Sequence, residues 1–268
     1  MGDGSGDRVD EDFELLRRQQ IERMSRDATL RAVTQDWFMR ATSHGYSYHF
    51  DVLGRPIIQF PQDIVALNEL IWSVRPDVVV ETGIARGGSV INTAAQLALL
   101  DLSDAAGLKG GFSSTTSRKV IGIDVDIRPA TRSALEGHFL HPWMELLTGS
   151  STSPEIHEQV QSLVPANSRV MVLLDSDHTH RHVLSELHLY APLVTPGSYC
   201  VVYDTVVEDM PAGYFQDRDW DVANNPATAV RDFLKETPDF VSDESIPSKL
   251  LVSVAPGGYL RRVSRNTP

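Results

Sequence analysis

The chain of 268 residues is 41% hydrophobic and 22% charged, apolar enough for a substantial core and too weakly charged for a disordered chain. Its 36 acidic against 24 basic residues give a net charge of -12, which repels a phosphate backbone and argues against a nucleic-acid partner. The lone cysteine, Cys200, excludes an internal disulfide or a multi-cysteine zinc cluster, and no apolar run nears the ~18 residues of a membrane span. The acidic start MGDGSGDRVDEDFE does not read as a secretory signal, so a cytoplasmic protein with no membrane contact is expected.

Residues 1–12, rich in Gly and Asp, are expected to fray. From Phe13 to about Thr42, Leu15, Ile21, Met24, Leu30, Val33, Trp37 and Phe38 recur at three- and four-residue spacings. That periodicity predicts a helical arm (residues 1–45) ahead of one domain (residues 46–268). Such an arm packs on its own body or on a second subunit, and a homo-oligomer is expected. Residues 44–60 read as loop or hairpin. Pro61 opens a helix through Ser73, with Asp63 as its candidate cap.

A repeating unit follows. Strands are expected at Asp77–Glu81, Val120–Asp124, Trp143–Leu147, Arg169–Asp175 and Ser198–Asp204, with helices at Gly88–Leu100, Pro154–Leu163 and His180–Tyr190. Short apolar strands without alternation are buried on both faces, which gives a mostly parallel, doubly wound α/β sheet. Leu250–Val254 and Tyr259–Val263, around Ala255-Pro256-Gly257-Gly258, predict a C-terminal antiparallel hairpin. Residues 103–118 read as a loop and 205–226 as an insertion.

Four strands end in an acid: Glu81, Asp124, Asp175 and Asp204. An acid at a strand tip marks where burial ends, but four in succession also line up at the sheet edge where open α/β sheets bind ligands. The first runs into Glu81-Thr82-Gly83-Ile84-Ala85-Arg86-Gly87-Gly88-Ser89 and a helix. Glycines at such a turn admit a ligand to the backbone or simply pack helix on strand. The run is neither a Walker A loop nor a strict G-x-G-x-x-G, so it points to a nucleotide-like cofactor without naming one. Asp124 suits the two hydroxyls of a ribose, with Asp126 as a weaker stand-in.

The densest chemistry is Asp175-Ser176-Asp177-His178-Thr179-His180-Arg181-His182. If the strands ending in Asp175 and Asp204 are neighbours, their tips lie roughly 5 Å apart. Two carboxylates that close repel unless a cation or a proton lies between them, and oxygen ligands suit Mg²⁺. Asp177 is a candidate third ligand or base, or a helix cap. On a helix His178 and His182 share a face, which would make a two-histidine metal site; alternatively His178 at a pocket is a candidate general base. The histidines also resemble the H-x-H-x-D-H run of metallo-β-lactamase-type zinc hydrolases, but Arg181 stands where that acid belongs and the βα series is wrong for that fold.

The segments ETGIARGGS, GIDVDIR, LLDSDHTHRHVLSELHLYAPLVTPGSY and VVYDT resemble the cephalosporin hydroxylase / rhamnosyl O-methyltransferase family, a branch of the class I S-adenosylmethionine (SAM)-dependent methyltransferases. The resemblance runs from roughly Gly54 to Val206. It implies a Rossmann-like class I sheet, with SAM held by Glu81, Thr82, Gly83, Gly87, Gly88 and Ser89 and its ribose on Asp124. It also implies a divalent ion near Asp175 and Asp204. Related Mg²⁺-dependent enzymes carry an acid just before the position of Asp204; here it is Tyr203, a weaker ligand.

The implied reaction is methyl transfer from SAM to a hydroxyl, with Asp175, His178 or Asp177 taking the proton. The acceptor class is a deoxysugar, as a nucleotide sugar or on a natural product. Three alternatives stand beside it: an oxygenase, as the family's other label says, a nicotinamide-cofactor oxidoreductase, and a non-catalytic scaffold. Tyr46, Tyr48, Phe215 and Trp220 lie in segments able to cover a substrate or to pack in the core.

Overall fold

A computed structural model describes residues 5–106 and 118–263, with side chains from residue 11 onward. Two helices, α1 (Ser5–Arg26) and α2 (Ala28–Ser43), precede a hairpin of β1 (Phe50–Val52) and β2 (Arg55–Ile57). Helix α3 (Pro61–Val74) leads into an alternation of strands and helices: β3 (Val78–Thr82), α4 (Gly88–Ala106), β4 (Lys119–Asp124), α5 (Pro129–Glu136), β5 (Met144–Thr148), α6 (Pro154–Leu163), β6 (Val170–Leu174), α7 (His180–Tyr190) and β7 (Tyr199–Val202). The chain closes with α8 (Pro226–Glu236), β8 (Phe240–Ser242), α9 (Ser245–Leu250) and β9 (Tyr259–Arg262).

The main sheet has the order β5-β4-β3-β6-β7-β9-β8. Its first five strands pair in parallel and β9 pairs antiparallel with both β7 and β8. The doubly wound reading holds because the apolar runs are buried on both faces. Val79, Met171, Leu173 and Val201 point to one layer, with α3, α4 and α9; Val80, Ile121, Val172 and Cys200 point to the other, with α6, α7 and α8. Each fully buried aliphatic side chain contributes roughly 1.5–3 kcal/mol, so the layers hold most of the stability. Among the described residues no helix is long and apolar enough to cross a membrane.

Several expectations are corrected. The start does not fray up to residue 12: α1 begins at Ser5. The helical stretch from Phe13 is two helices, because Asp27 leaves the helical backbone and caps α2, accepting the Leu30 N–H at 2.9 Å. Helix α4 continues to Ala106, into the stretch expected to be a loop. Arg118, almost fully buried, ties its end down by pairing with Asp101 at 2.6 Å and Asp104 at 2.8 Å. The rest of that expected loop, residues 107–117, lies outside the described residues. The antiparallel closure is real, but its first strand is Phe240–Ser242. Leu250–Val254 is not a strand: Ser253 Oγ and the Val254 N–H donate instead to Asp63, at 2.6 and 2.9 Å.

Asp63 is therefore no helix cap. It lies inside the first turn of α3, fully buried, and also accepts the Tyr259 hydroxyl at 2.8 Å. Burial raises its carboxyl to about 6, the bonds from Ser253, Val254 and Tyr259 hold it down, and the charge on Asp204 adds to the rise. The folded value lies above the unfolded 3.8, so the folded state binds the proton more tightly between those limits. The contribution of Asp63 to stability is thus full below pH 4 and is lost as pH rises to about 6, by about 3 kcal/mol. In Asp63→Asn this component should vanish. Urea midpoints of both proteins at pH 4.5 and 7.0 check it: the wild type's stability relative to the variant should rise towards pH 4.5, and a constant difference would refute the assignment.

Candidate active site

From β3 the chain winds to β4 and β5 on one side, then returns to β6 on the other. The reversal point lies between β3 and β6, where open sheets leave a crevice at the carboxyl ends of the strands. Thr82 pairs with Leu174 in register, which sets the β3 loop against Asp175. Gly83, at φ +88, makes this approach possible: a Cβ there would stand 1.8 Å from the Asp175 carbonyl oxygen. At Gly88 a Cβ would stand 2.3 Å from the Pro56 carbonyl oxygen, and Gly87 packs on Leu135. These glycines thus serve contacts with the protein's own atoms.

Gly83, Gly88 and Ser89 also line a cavity of about 730 Å³, with Ile84, Ala85 and Arg86. Glu81, Thr82, Gly87 and Asp124 are not on its wall. Glu81 is buried behind it, its Oε2 accepting the Thr93 hydroxyl at 3.1 Å and its Oε1 without a partner. Burial raises its carboxyl to about 7 against the pull of the Ser89 and Thr93 hydroxyls. Thr82 is fully buried. Asp124 ties the loop instead of standing free: its Oδ2 accepts the Ile84 and Ala85 N–H groups at 2.9 and 3.0 Å, and its Oδ1 the Asp126 N–H at 3.0 Å. A carboxylate accepts about four hydrogen bonds, which leaves room for one ribose hydroxyl and not two.

The cavity also exposes Asp175, His178 and Asp204, from the ends of β6 and β7. One ligand-type atom from each lies within 4.8 Å of the other two, the single such group of His, Cys, Asp or Glu among the described residues. His178 Nδ1 stands 2.9 Å from Asp204 Oδ2, and its ring stacks on Trp220 at 4.8 Å and 23°. Asp204 holds the left-handed backbone at φ +56, a conformation that Asp and Asn tolerate better than most residues. Asp175 is pushed well above the usual carboxylate range by burial first and by the charge on Asp204 next, while His178 and the Gln59 amide oppose the shift. Burial works against a charge on His178, but Asp204, Asp175 and Asp177 outweigh it and raise the imidazole to about 9. These acids thus favour the charged imidazole beside Asp204.

Asp177 stands apart from this group. It is exposed, off the cavity wall, and its Oδ1 accepts the Thr179 N–H at 2.8 Å. His178 and His182 do not share a helix face, because α7 begins only at His180. His180 Nδ1 meets Thr228 Oγ1 at 2.8 Å, and His182 lies against Ser151 and Glu186. Tyr203 points into the core: its hydroxyl is buried without a partner, and burial with the nearby acids keeps the phenol neutral.

Tyr48, Phe215 and Trp220 line the cavity with Phe38, Phe60 and Tyr214, whereas Tyr46 packs on Trp37, Phe50 and Phe60. Gln35 reaches the Asp209 carbonyl at 3.1 Å and Tyr214 the Met39 carbonyl at 3.2 Å, so α2 and the 205–225 segment meet beside the cavity. Gln59 and Arg218 were absent from the sequence reading. No motif surrounds either, and only the fold brings them to Asp175 and Trp220.

Comparison with known proteins agrees with this architecture. The chain is 27% identical over 204 residues to a rhamnosyl O-methyltransferase of Mycobacterium bovis, covering 75% of this chain and 73% of that protein. Among solved structures, CmcI in its apo form superposes with a TM-score of 0.53 at 19% identity, covering 81% of this chain and 77% of that one. A CmcI structure with Mg and SAM gives 0.50 at 18% identity, covering 81% and 78%. The family model "Rhamnosyl O-methyltransferase/CmcI" matches residues 44–263, and the chain belongs to that family of SAM-dependent O-methyltransferases.

Proposed function

We propose that this protein is a cytoplasmic enzyme that methylates a hydroxyl of a deoxysugar, carried as a nucleotide sugar or on a natural product, with a divalent ion at the acceptor. Residues 46–268 would form the catalytic domain and residues 1–45 the arm; the family match over 44–263 supports that division. The observation that carries the reading is the convergence of Asp175, His178 and Asp204 in the cavity that also exposes the Gly83–Ser89 loop. The rhamnosyl substrate in the name of the mycobacterial relative supports a sugar acceptor.

The residues fit both absent groups. A cavity of about 730 Å³ is within the usual range for a small ligand, and Gly83, Gly88 and Ser89 bring the loop after β3 to its wall. Asp175 and Asp204 repel one another in the ion-free site, a strain that a dication removes. Bound there, the ion would lower the pKa of the acceptor hydroxyl, and SAM would supply an already activated methyl.

The rest falls to this chain. The aromatic wall excludes water and holds the acceptor in line with the methyl, about 3 Å away. Asp175, on the cavity wall, is the group placed to take up the acceptor's proton at its carboxylate. Asp177 is turned outward, and His178 Nδ1 faces Asp204 at 2.9 Å. One histidine with two carboxylates is the inverse of the two-histidine, one-carboxylate set of non-haem iron oxygenases, which weighs against the hydroxylase alternative.

Titration calorimetry with SAM and with NAD, followed by transfer of labelled methyl to a panel of deoxysugars, tests the reading. Binding of NAD, or none of SAM at millimolar concentration, would end it. Asp124→Ala frees the Ile84 and Ala85 N–H groups and should weaken SAM about tenfold, with kcat at saturation little changed. A homo-oligomer remains our reading of the arm, since Phe13, Leu15 and Leu16 of α1 are exposed. Light scattering of the wild type against Leu16→Asp checks it.

A further inference from the structure

We propose that His178 is itself an ion ligand, and that the set Asp175, His178 and Asp204 selects a transition ion of the Mn²⁺, Co²⁺ or Zn²⁺ kind over Mg²⁺. The inference rests on the reading that this cavity holds a divalent ion, and it concerns which residues ligate and what they prefer.

Geometry comes first. Ligands about 2.1 Å from one ion and at right angles stand about 3 Å apart. His178 Nδ1 and Asp204 Oδ2 are 2.9 Å apart, and all three donor atoms fall within 4.8 Å. The imidazole is already oriented, stacked on Trp220, whose ring in turn lies 5.0 Å from the Arg218 guanidinium. An ion bound by these three residues would be held by His178 Nδ1 on the side that faces Asp204, and any proton on Nδ1 would leave to solvent.

The donor inventory decides the rest. Two carboxylates with waters suffice for Mg²⁺, so what sets this site apart is its third protein donor. Asp177 is exposed and engaged with the Thr179 N–H. Position 203 carries a buried neutral phenol. The remaining donor is a ring nitrogen, which suits borderline transition ions, whereas Mg²⁺ keeps to oxygen. Gln59 gives an independent sign of a ligand. It is 3% exposed and lines the same cavity; its amide bonds Asp175, yet its Oε1 has no partner. That oxygen is free to bind an ion or a water held by one.

The experiment uses the full chain stripped with a chelator and reloaded with Mn²⁺, Co²⁺ or Mg²⁺. Electron spin echo spectra of the Mn²⁺ form should show ligand-nitrogen coupling, absent in His178→Ala and in His178→Gln. Loss of the imidazole should weaken Mn²⁺ and Co²⁺ about tenfold or more, and Mg²⁺ far less. Two variants guard against one that fails to fold, and thermal unfolding checks both. Nitrogen coupling absent from the wild type, or equal losses for all three ions, would overturn the proposal while leaving the methyltransferase reading intact. Wild type that binds SAM but none of the ions would instead overturn the reading that the cavity holds an ion.

Discussion

Asp175→Asn and Asp204→Asn should each lower kcat by about two to four orders of magnitude while SAM binds within about threefold of wild type. Both changes remove a charge and keep the side chain's shape. Asn can still accept from Gln59 at position 175, and at position 204 it tolerates the left-handed backbone, so both variants should fold. Each variant removes half of a pair whose mutual repulsion prepares the site for a cation and keeps Asp175 basic. Asp204→Asn also strips His178 of the partner 2.9 Å away, so its imidazole should titrate below the present value of about 9. Steady-state rates, calorimetry with SAM and NMR titration of the histidines measure the three effects. Near wild-type rates in both variants would show that the chemistry lies elsewhere. The double variant should lose little more than the worse single one, because the two carboxylates act as a unit.

The second large effect is on folding and on the site together. Gly83→Ala would set a methyl 1.8 Å from the Asp175 carbonyl oxygen, where real contacts stand beyond 3 Å, at a φ of +88. The neighbour is backbone at the end of a central strand and cannot swing away. The loss should be about 3–4 kcal/mol, a large share of the ~5–15 kcal/mol that holds a domain together. Any molecules that still fold carry Asp175 displaced by about 1 Å, which alone lowers rates roughly a hundredfold. Gly54→Ala is the control. Gly54 has a similar φ, +84, but nothing lies within 4 Å of its would-be Cβ, so only about 1–2 kcal/mol is expected. Urea midpoints for the pair separate steric from conformational loss; equal midpoints would refute the close approach.

The amino-acid sequence alone determined the sheet, because burial on two faces demands continuous apolar runs and residues 78–80, Val170–Leu174 and Tyr199–Val202 are such runs. Helices α6 and α7 were legible to the residue, bounded as they are by Pro154 at the start of one and by the turn Asp177–Thr179 before the other. Asp124, Asp175 and Asp204 at or just past their strand ends were legible too, since a charge ends a buried strand, whereas Glu81 lies buried inside β3. What each acid does was not. Periodicity reports which face a residue takes, and says nothing of partners far along the chain. Only the tertiary structure decided that Asp63 is a buried acceptor for Ser253, Val254 and Tyr259, that Asp124 ties the loop after β3, and that Gly83 serves the backbone of Asp175. It also decided that Asp177 faces out while His178 turns to Asp204. Those outcomes depend on registers and approaches between segments up to 196 positions apart, set by packing across the whole sheet and invisible in any local window of residues.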